Sequence, residues 1–276
     1  MDIGVFNTLT IARLTKVGLF LTDGKDDVLL PLKYVPKVYE IGEEIAVFVY
    51  LDHEERIVAT TLQPYVTVDD FAFLRVNYTN SFGAFLDWGL EKDLFVPFKE
   101  QARPMEKGKR YLVYAYLDEK SNRIVASSRT NKFLSNDELT VTQGEEVDLI
   151  ISHITDLGIN VIVNKLHKGL LYSNEVYTDI RTGDKHVGYI KNIRPDNKID
   201  VSLQKLGYES IEPNAQIILD ELRASRGFLR LTDDSHPEDI KTVLKMSKKT
   251  FKKAIGSLYK EKKIEIKPDG IYLVKE

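Results

Sequence analysis

Up to Leu206 the chain is written in short runs whose apolar and polar side chains alternate with a period of two. Examples are Glu44-Ile45-Ala46-Val47-Phe48-Val49-Tyr50 and Arg110-Tyr111-Leu112-Val113-Tyr114-Ala115-Tyr116. The runs are rich in Val, Ile, Phe and Tyr and are broken every 8 to 12 residues by Gly, Asn, Asp or Pro. That pattern predicts strands of a small antiparallel barrel or sandwich.

The runs recur in three copies. Each has a glycine among apolar residues: Val17-Gly18-Leu19-Phe20-Leu21, Phe82-Gly83-Ala84-Phe85-Leu86 and Leu157-Gly158-Ile159-Asn160-Val161. Each then has an apolar run (Leu29-Leu30-Pro31, Phe95-Val96-Pro97, Leu170-Leu171-Tyr172) and a second glycine (Gly42, Gly108, Gly183). Each closes on a basic residue before another alternation, at Arg56-Ile57-Val58, Arg123-Ile124-Val125 and Lys198-Ile199-Asp200. The four landmarks shift by 65, 66, 66 and 67 residues from copy one to copy two, and by 75 each time from copy two to copy three. A fixed period of this kind decides the architecture before any local detail does. About five strands per copy suit an OB-fold barrel, which leaves no open sheet edge. A domain this small buries only ~60% of its unfolded surface, so neighbouring copies are expected to pack on one another.

After Leu206 the period changes. Ala215, Ile218, Leu219 and Leu222 fall at helical spacing behind Asn214 as N-cap, with Gly227 as the stop. Phe228-Leu229-Arg230-Leu231 reads as a brief strand. Ser235 with Glu238 forms a capping box before a short helix, and Ser247 caps a third helix with Phe251, Ala254, Ile255 and Leu258 on one face. Lys267-Pro268-Asp269-Gly270 is a hairpin turn. Helix, strand, helix, helix, hairpin is the order of a winged helix. The expected fold is therefore mainly β with a C-terminal α+β domain. Its divisions are three five-stranded OB-fold barrels at 1–63, 64–134 and 135–207, followed by a winged helix at 208–276.

Composition and charge narrow the chemistry. Of 276 residues, 43% are apolar and 29% charged, a globular composition. No cysteine is present, which excludes disulfides and thiolate metal sites. The N-terminus lacks a signal peptide's basic start and apolar core, and no segment approaches a membrane span, so the expected address is the cytoplasm, with no membrane partner. The net charge of −3 is unevenly spread: residues 245–263 hold eight lysines and one acid, Glu261. The five histidines are scattered, with no metal-ligand spacing, nucleophile elbow or phosphate loop. Asp233-Asp234 beside His236 reads as helix-start chemistry. Neither a catalytic centre nor a cofactor is expected.

Two resemblances follow from these residues. The three copies resemble S1-type RNA-binding domains, which carry an aromatic-glycine-x-aromatic run and, later, an Asp with a nearby Arg. The stretch from Met246 to Lys260 resembles the third helix of the conserved virulence factor B family, CvfB, bacterial proteins that combine tandem S1-type units with a C-terminal winged helix. The likeness covers essentially the whole chain and is most specific in that helix. It implies RNA binding and a regulatory role, without catalysis.

Single strands are held by stacking bases on aromatic rings beside cationic side chains. The second copy supplies Phe82 and Phe85, with Arg123 in the family's basic position and Asp118 to orient it. The first offers Phe20, Asp52 and Arg56. The third has lost both aromatics and offers only Tyr172 and Lys198. In a regular strand Phe82 and Phe85 point to opposite faces; both reach the surface only if a bulge sits at Gly83. On the third helix Lys248, Lys249, Lys252 and Lys253 lie opposite the apolar stripe, suited either to a nucleic-acid backbone or to water. The leading expectation is a binder of single-stranded RNA that regulates genes post-transcriptionally. The alternatives are a duplex-DNA regulator acting through the winged helix and a protein-interaction scaffold.

Overall fold

The alternating runs become strands that close on themselves. A computed structural model describes residues 1–176, 179–205 and 213–274, in two units, Met1–Lys205 and Leu206–Glu276. Among the described residues of the first unit there are three closed five-stranded barrels. The first comprises β1 (Phe6–Leu14), β2 (Gly18–Thr22), β3 (Asp27–Pro31), β4 (Glu44–Leu51) and β5 (Ile57–Thr60). The second comprises β6 (Asp70–Thr79), β7 (Gly83–Asp87), β8 (Leu94–Pro97), β9 (Arg110–Asp118) and β10 (Arg123–Ser127). The third comprises β11 (Glu146–Thr155), β12 (Gly158–Val163), β13 (His167–Leu171), β14 (Lys185–Ile193) and β15 (Ile199–Ser202). In each the strands run in the order first, second, third, fifth, fourth, with the third and fifth parallel and the other pairs antiparallel. Closure satisfies the backbone of every edge.

The recurring glycine has a steric cause. A Cβ on Gly83 would lie 2.2 Å from the Val96 carbonyl oxygen on β8, and on Gly18 it would lie 2.1 Å from that of Leu30. Only glycine lets the second strand start this close to the third.

A second shared device lies one strand away, in the first strand of each barrel. In β6, Val76 pairs with Leu86 and Tyr78 with Phe85, leaving Asn77 as an extra residue. Ala12 is the extra residue in β1 and Ser152 in β11. The bulge is therefore in the strand facing Gly83, not at Gly83 itself as the sequence suggested. Its effect is on direction. Leu74 and Val76 are buried, and by period two Tyr78 would follow them inward; the bulge turns it out.

Neighbouring barrels share cores. Phe48, Tyr50 and Val58 of the first barrel join the second barrel's core, and Phe48 meets the lone Trp88 edge-on at 5.7 Å. Between the second and third, Phe71, Leu112, Leu134, Ile150 and Ile162 form a separate buried cluster. Lys165 bridges to Asp70 at 2.7 Å across that junction.

The second unit holds α1 (Pro213–Ala224), β16 (Phe228–Leu229), α2 (Pro237–Leu244), α3 (Lys248–Lys260), β17 (Ile264–Lys267) and β18 (Gly270–Leu273), with sheet order β16-β18-β17. Ile218, Leu222, Ile240, Phe251, Ile255 and Leu258 are among its buried core. Two starts differ from expectation. α1 begins at Pro213, so Asn214 lies inside the helix, and the residue ahead of Pro213 falls outside the described residues. Pro fits there because the first helical N–H has no intrahelical partner. α2 is capped by His236, whose Nδ1 accepts from the Glu238 N–H at 3.5 Å, while the Ser235 hydroxyl accepts from Thr232 N–H at 2.8 Å. Ser247 caps α3 as expected, its hydroxyl accepting from Thr250 N–H at 3.1 Å.

Candidate nucleic-acid interface

On the outer face of the second barrel, the bulge and the register place three aromatics in a row across three strands. Tyr78 on β6 is paired with Phe85 on β7, and Phe85 with Phe95 on β8. The Tyr78 and Phe85 rings stack at 4.5 Å and 9°, and Phe85 meets Phe95 at 4.9 Å and 33°. Phe82 lies just ahead of β7, in a turn where the Asn80 side-chain oxygen accepts from the Phe82 and Gly83 N–H groups, and it is 71% exposed. Phe82 and Phe85 therefore share one surface, with Phe85 half-buried between its two neighbours.

These rings line a groove of about 650 Å³ that also touches Tyr50, His53 and Trp88 at the junction with the first barrel. The groove wall is cross-braced. Lys92 donates to the backbone carbonyls of Asp52 (2.6 Å) and Leu51 (3.1 Å), and Trp88 Nε1 donates to the Lys92 carbonyl. Burial lowers the Lys92 ammonium pKa and raises that of the Asp93 carboxyl, although Asn77, the bulged residue, donates to Asp93 at 2.8 Å. Arg123 reaches the groove but is not held by Asp118. It forms an ion pair with Glu55 of the first barrel, and the Asp118 carboxylate instead accepts from the Ser121 hydroxyl at 2.6 Å. The cause is the packing of the two barrels, which brings Glu55 within reach.

The same register identifies the corresponding positions elsewhere. In the first barrel the row is Arg13, Phe20 and Leu29, with the Arg13 guanidinium 4.4 Å from the Phe20 ring centroid and bonded to Asp27 at 2.6 Å. Arg56 binds Asp52 through two N–H groups, at 2.9 and 2.7 Å; burial alone would raise the Asp52 pKa, and Arg56 brings it below the usual range. In the third barrel the row is His153, Asn160 and Leu170, with an imidazole at the first position and no Phe, Tyr or Trp. Tyr172 belongs to a different arrangement: its hydroxyl accepts from Arg194 at 2.5 Å, and Arg194 binds Asp200 at 2.7 Å, lowering the Asp200 pKa. Lys198 is exposed and paired with Asp196 at 2.7 Å.

In the second unit, α3 buries Phe251, Ala254, Ile255 and Leu258 and exposes Lys249, Lys252 and Lys253, with Lys248 half-buried at its first turn. Lys252 lies 3.8 Å from Asp233.

Comparison with known proteins matches both kinds of unit. Residues 3–62 match the S1 domain family, and residues 216–273 match the CvfB-like winged helix domain family. The first barrel is an S1 domain, and the C-terminal unit is a CvfB-like winged helix domain. The chain is similar to conserved virulence factor B of Staphylococcus epidermidis ATCC 12228, 28% identical over 86% of this chain and 82% of that protein. It is also 28% identical to the uncharacterized protein YitL of Bacillus subtilis 168, over 93% of this chain and 89% of that one. A crystal structure from Streptococcus pneumoniae TIGR4, described as a multidomain protein with nucleic acid binding domains, is 25% identical over 99% of this chain and 98% of its own, with a TM-score of 0.42.

The second and third barrels repeat the S1 domain's strand order. Within that frame the aromatic partners Tyr78 and Phe95 were missed from sequence. Phe95 stood in plain view as the landmark aligned with Leu29 and Leu170, and the register is what gives it a role. Tyr78 had no such signal, since only the bulge turns it outward. The Tyr172-Arg194-Asp200 cluster was half seen, through Tyr172 alone.

Proposed function

We infer that this chain is a non-catalytic, bacterial RNA-binding protein of the cytoplasm that holds single-stranded RNA and acts in post-transcriptional regulation. The observation that carries the reading is the Tyr78-Phe85-Phe95 row beside the exposed Phe82 ring. Unpaired bases stack on such rings at about 1–3 kcal/mol each, whatever their sequence. The S1 and winged-helix domain matches support the same class of ligand. Barrel two is the principal binder; Phe20 and the Asp52-Arg56 pair give barrel one a smaller share, and Tyr172 and Lys198 give barrel three the least. The exposed lysines of α3 neutralise phosphates without reading bases.

Those lysines also favour a second reading, in which the winged helix docks on duplex DNA. Competition decides between the two: labelled single-stranded RNA bound to the full chain is challenged with unlabelled RNA and with duplex DNA at physiological salt. RNA displacing at concentrations at least tenfold below those of DNA supports the first reading; the reverse order supports the second.

A further inference from the structure

The first unit is acidic, with 25 Lys and Arg against 30 Asp and Glu over residues 1–207. Yet the cleft of about 630 Å³ between its second and third barrels has Arg103, Arg110, Arg129, Lys132 and His153 among its lining residues, and no Asp or Glu lines it among the described residues. Lys132 is paired with Glu100 outside the cleft wall, and Arg129 Nε donates to the Lys99 carbonyl at 2.9 Å. Among the described residues, no carboxylate lies within ion-pair distance of Arg103, Arg110 or Arg129.

Arg110 also stands directly opposite Arg75 in the pairing of β9 with β6, and both are exposed. Like charges opposite one another across a sheet are destabilising. Arg103 is exposed, with its guanidinium carbon 5.4 Å from the Tyr111 ring centroid. Planar forks of this kind match the paired oxygens of phosphate. The cleft is set between firmly packed walls: Gly183 of the third barrel sits so close to Phe73 that a Cβ there would lie 2.4 Å from the ring.

We propose that this cleft is a phosphate-binding site, separate from the aromatic groove and sharing no lining residue with it. Its ligand is either the phosphodiester backbone of an RNA strand or a free oligophosphate compound. The first source rests on the RNA-binding reading above; the phosphate chemistry rests on the cleft alone.

The test uses the full chain and three probes: labelled oligo-uridylate, inorganic tripolyphosphate and poly-glutamate. Arg103→Gln/Arg110→Gln is compared with the parent, and Tyr78→Ala/Phe85→Ala serves as the control for the aromatic groove. Thermal midpoints of the unliganded proteins establish that the exposed arginines are not needed for folding, and Arg103→Lys/Arg110→Lys retains charge should the Gln variant be unstable. The slope of log K against log salt for oligo-uridylate should flatten by about 0.7 for each phosphate no longer neutralised, or about 1.4 for the double Gln variant. The aromatic variant should retain the parent slope. A flattened slope with oligo-uridylate assigns the cleft to the strand. Weakening confined to tripolyphosphate assigns it to a free oligophosphate. Unchanged binding of both phosphate probes overturns the proposal, as does poly-glutamate binding as tightly as RNA and failing to bind the same variant. An aromatic variant that binds RNA like the parent would sink the groove reading and leave the cleft standing.

Discussion

Phe85 is the ring on which the row depends, because it touches both neighbours and sits between them. Replacing it with Ala removes a stacking surface and frees Tyr78 and Phe95 to move, so we expect RNA affinity to weaken by about 1–3 kcal/mol, measured by fluorescence anisotropy. Gly83 tests the steric claim separately. Gly83→Ala drives a Cβ against the Val96 carbonyl, and overpacking of this kind costs about 1–3 kcal/mol. The thermal midpoint of the purified variant should fall, whereas Gly108→Ala meets no atom within 4 Å and tests the cost of a positive φ alone. Phe82 and Phe85 were legible as candidates because they flank a repeated glycine. Their shared face was not, since it depends on backbone geometry one strand away. Arg123 was legible as a basic position, but its partner Glu55 lies 68 residues back and enters only through barrel packing.

Among the elements, the bulge in the first strand and the caps of the helices decide what is displayed. A period-two reading sends Tyr78 inward behind Leu74 and Val76, and only the extra Asn77 reverses it. Strand order and the triple repeat were legible because glycine and hairpin landmarks are local; the bulge was not, because an inserted residue leaves no composition mark. The α2 cap shows the same limit: Ser235 and His236 are adjacent acceptors, and the chain path selects the imidazole. In α3 the sequence signal was complete. Ser247→Ala should destabilise the C-terminal unit by about 1 kcal/mol, seen as a lower urea midpoint for its unfolding. Lys249→Glu/Lys252→Glu should leave that midpoint nearly unchanged and flatten the salt dependence of RNA binding. An unchanged salt dependence would assign these side chains to solvent alone.

Across the molecule, the first unit is held together by shared cores and by ion pairs that acid will remove. The Arg194 guanidinium depresses the Asp200 pKa; burial alone would raise that of Glu100, and Lys132 and Ser127 bring it below its usual range. For carboxyls depressed in the folded state, the stabilisation is complete above the unfolded pKa, near about 4, and disappears as the pH falls through the folded value. Urea midpoints of the first unit should thus decline below about pH 4, and Asp200→Asn should show a shallower decline. No helix among the described residues is long and apolar enough to cross a membrane. The molecule's proposed role turns on single strands stacking on the second barrel. The decisive quantity is the affinity of the full chain for oligo-uridylate at physiological salt, before and after Tyr78→Ala/Phe85→Ala. Stacking on this row requires the affinity to fall by at least about fivefold, since one stacked base contributes about 1–3 kcal/mol. Equal affinity in the two proteins would mean that the strand is held elsewhere.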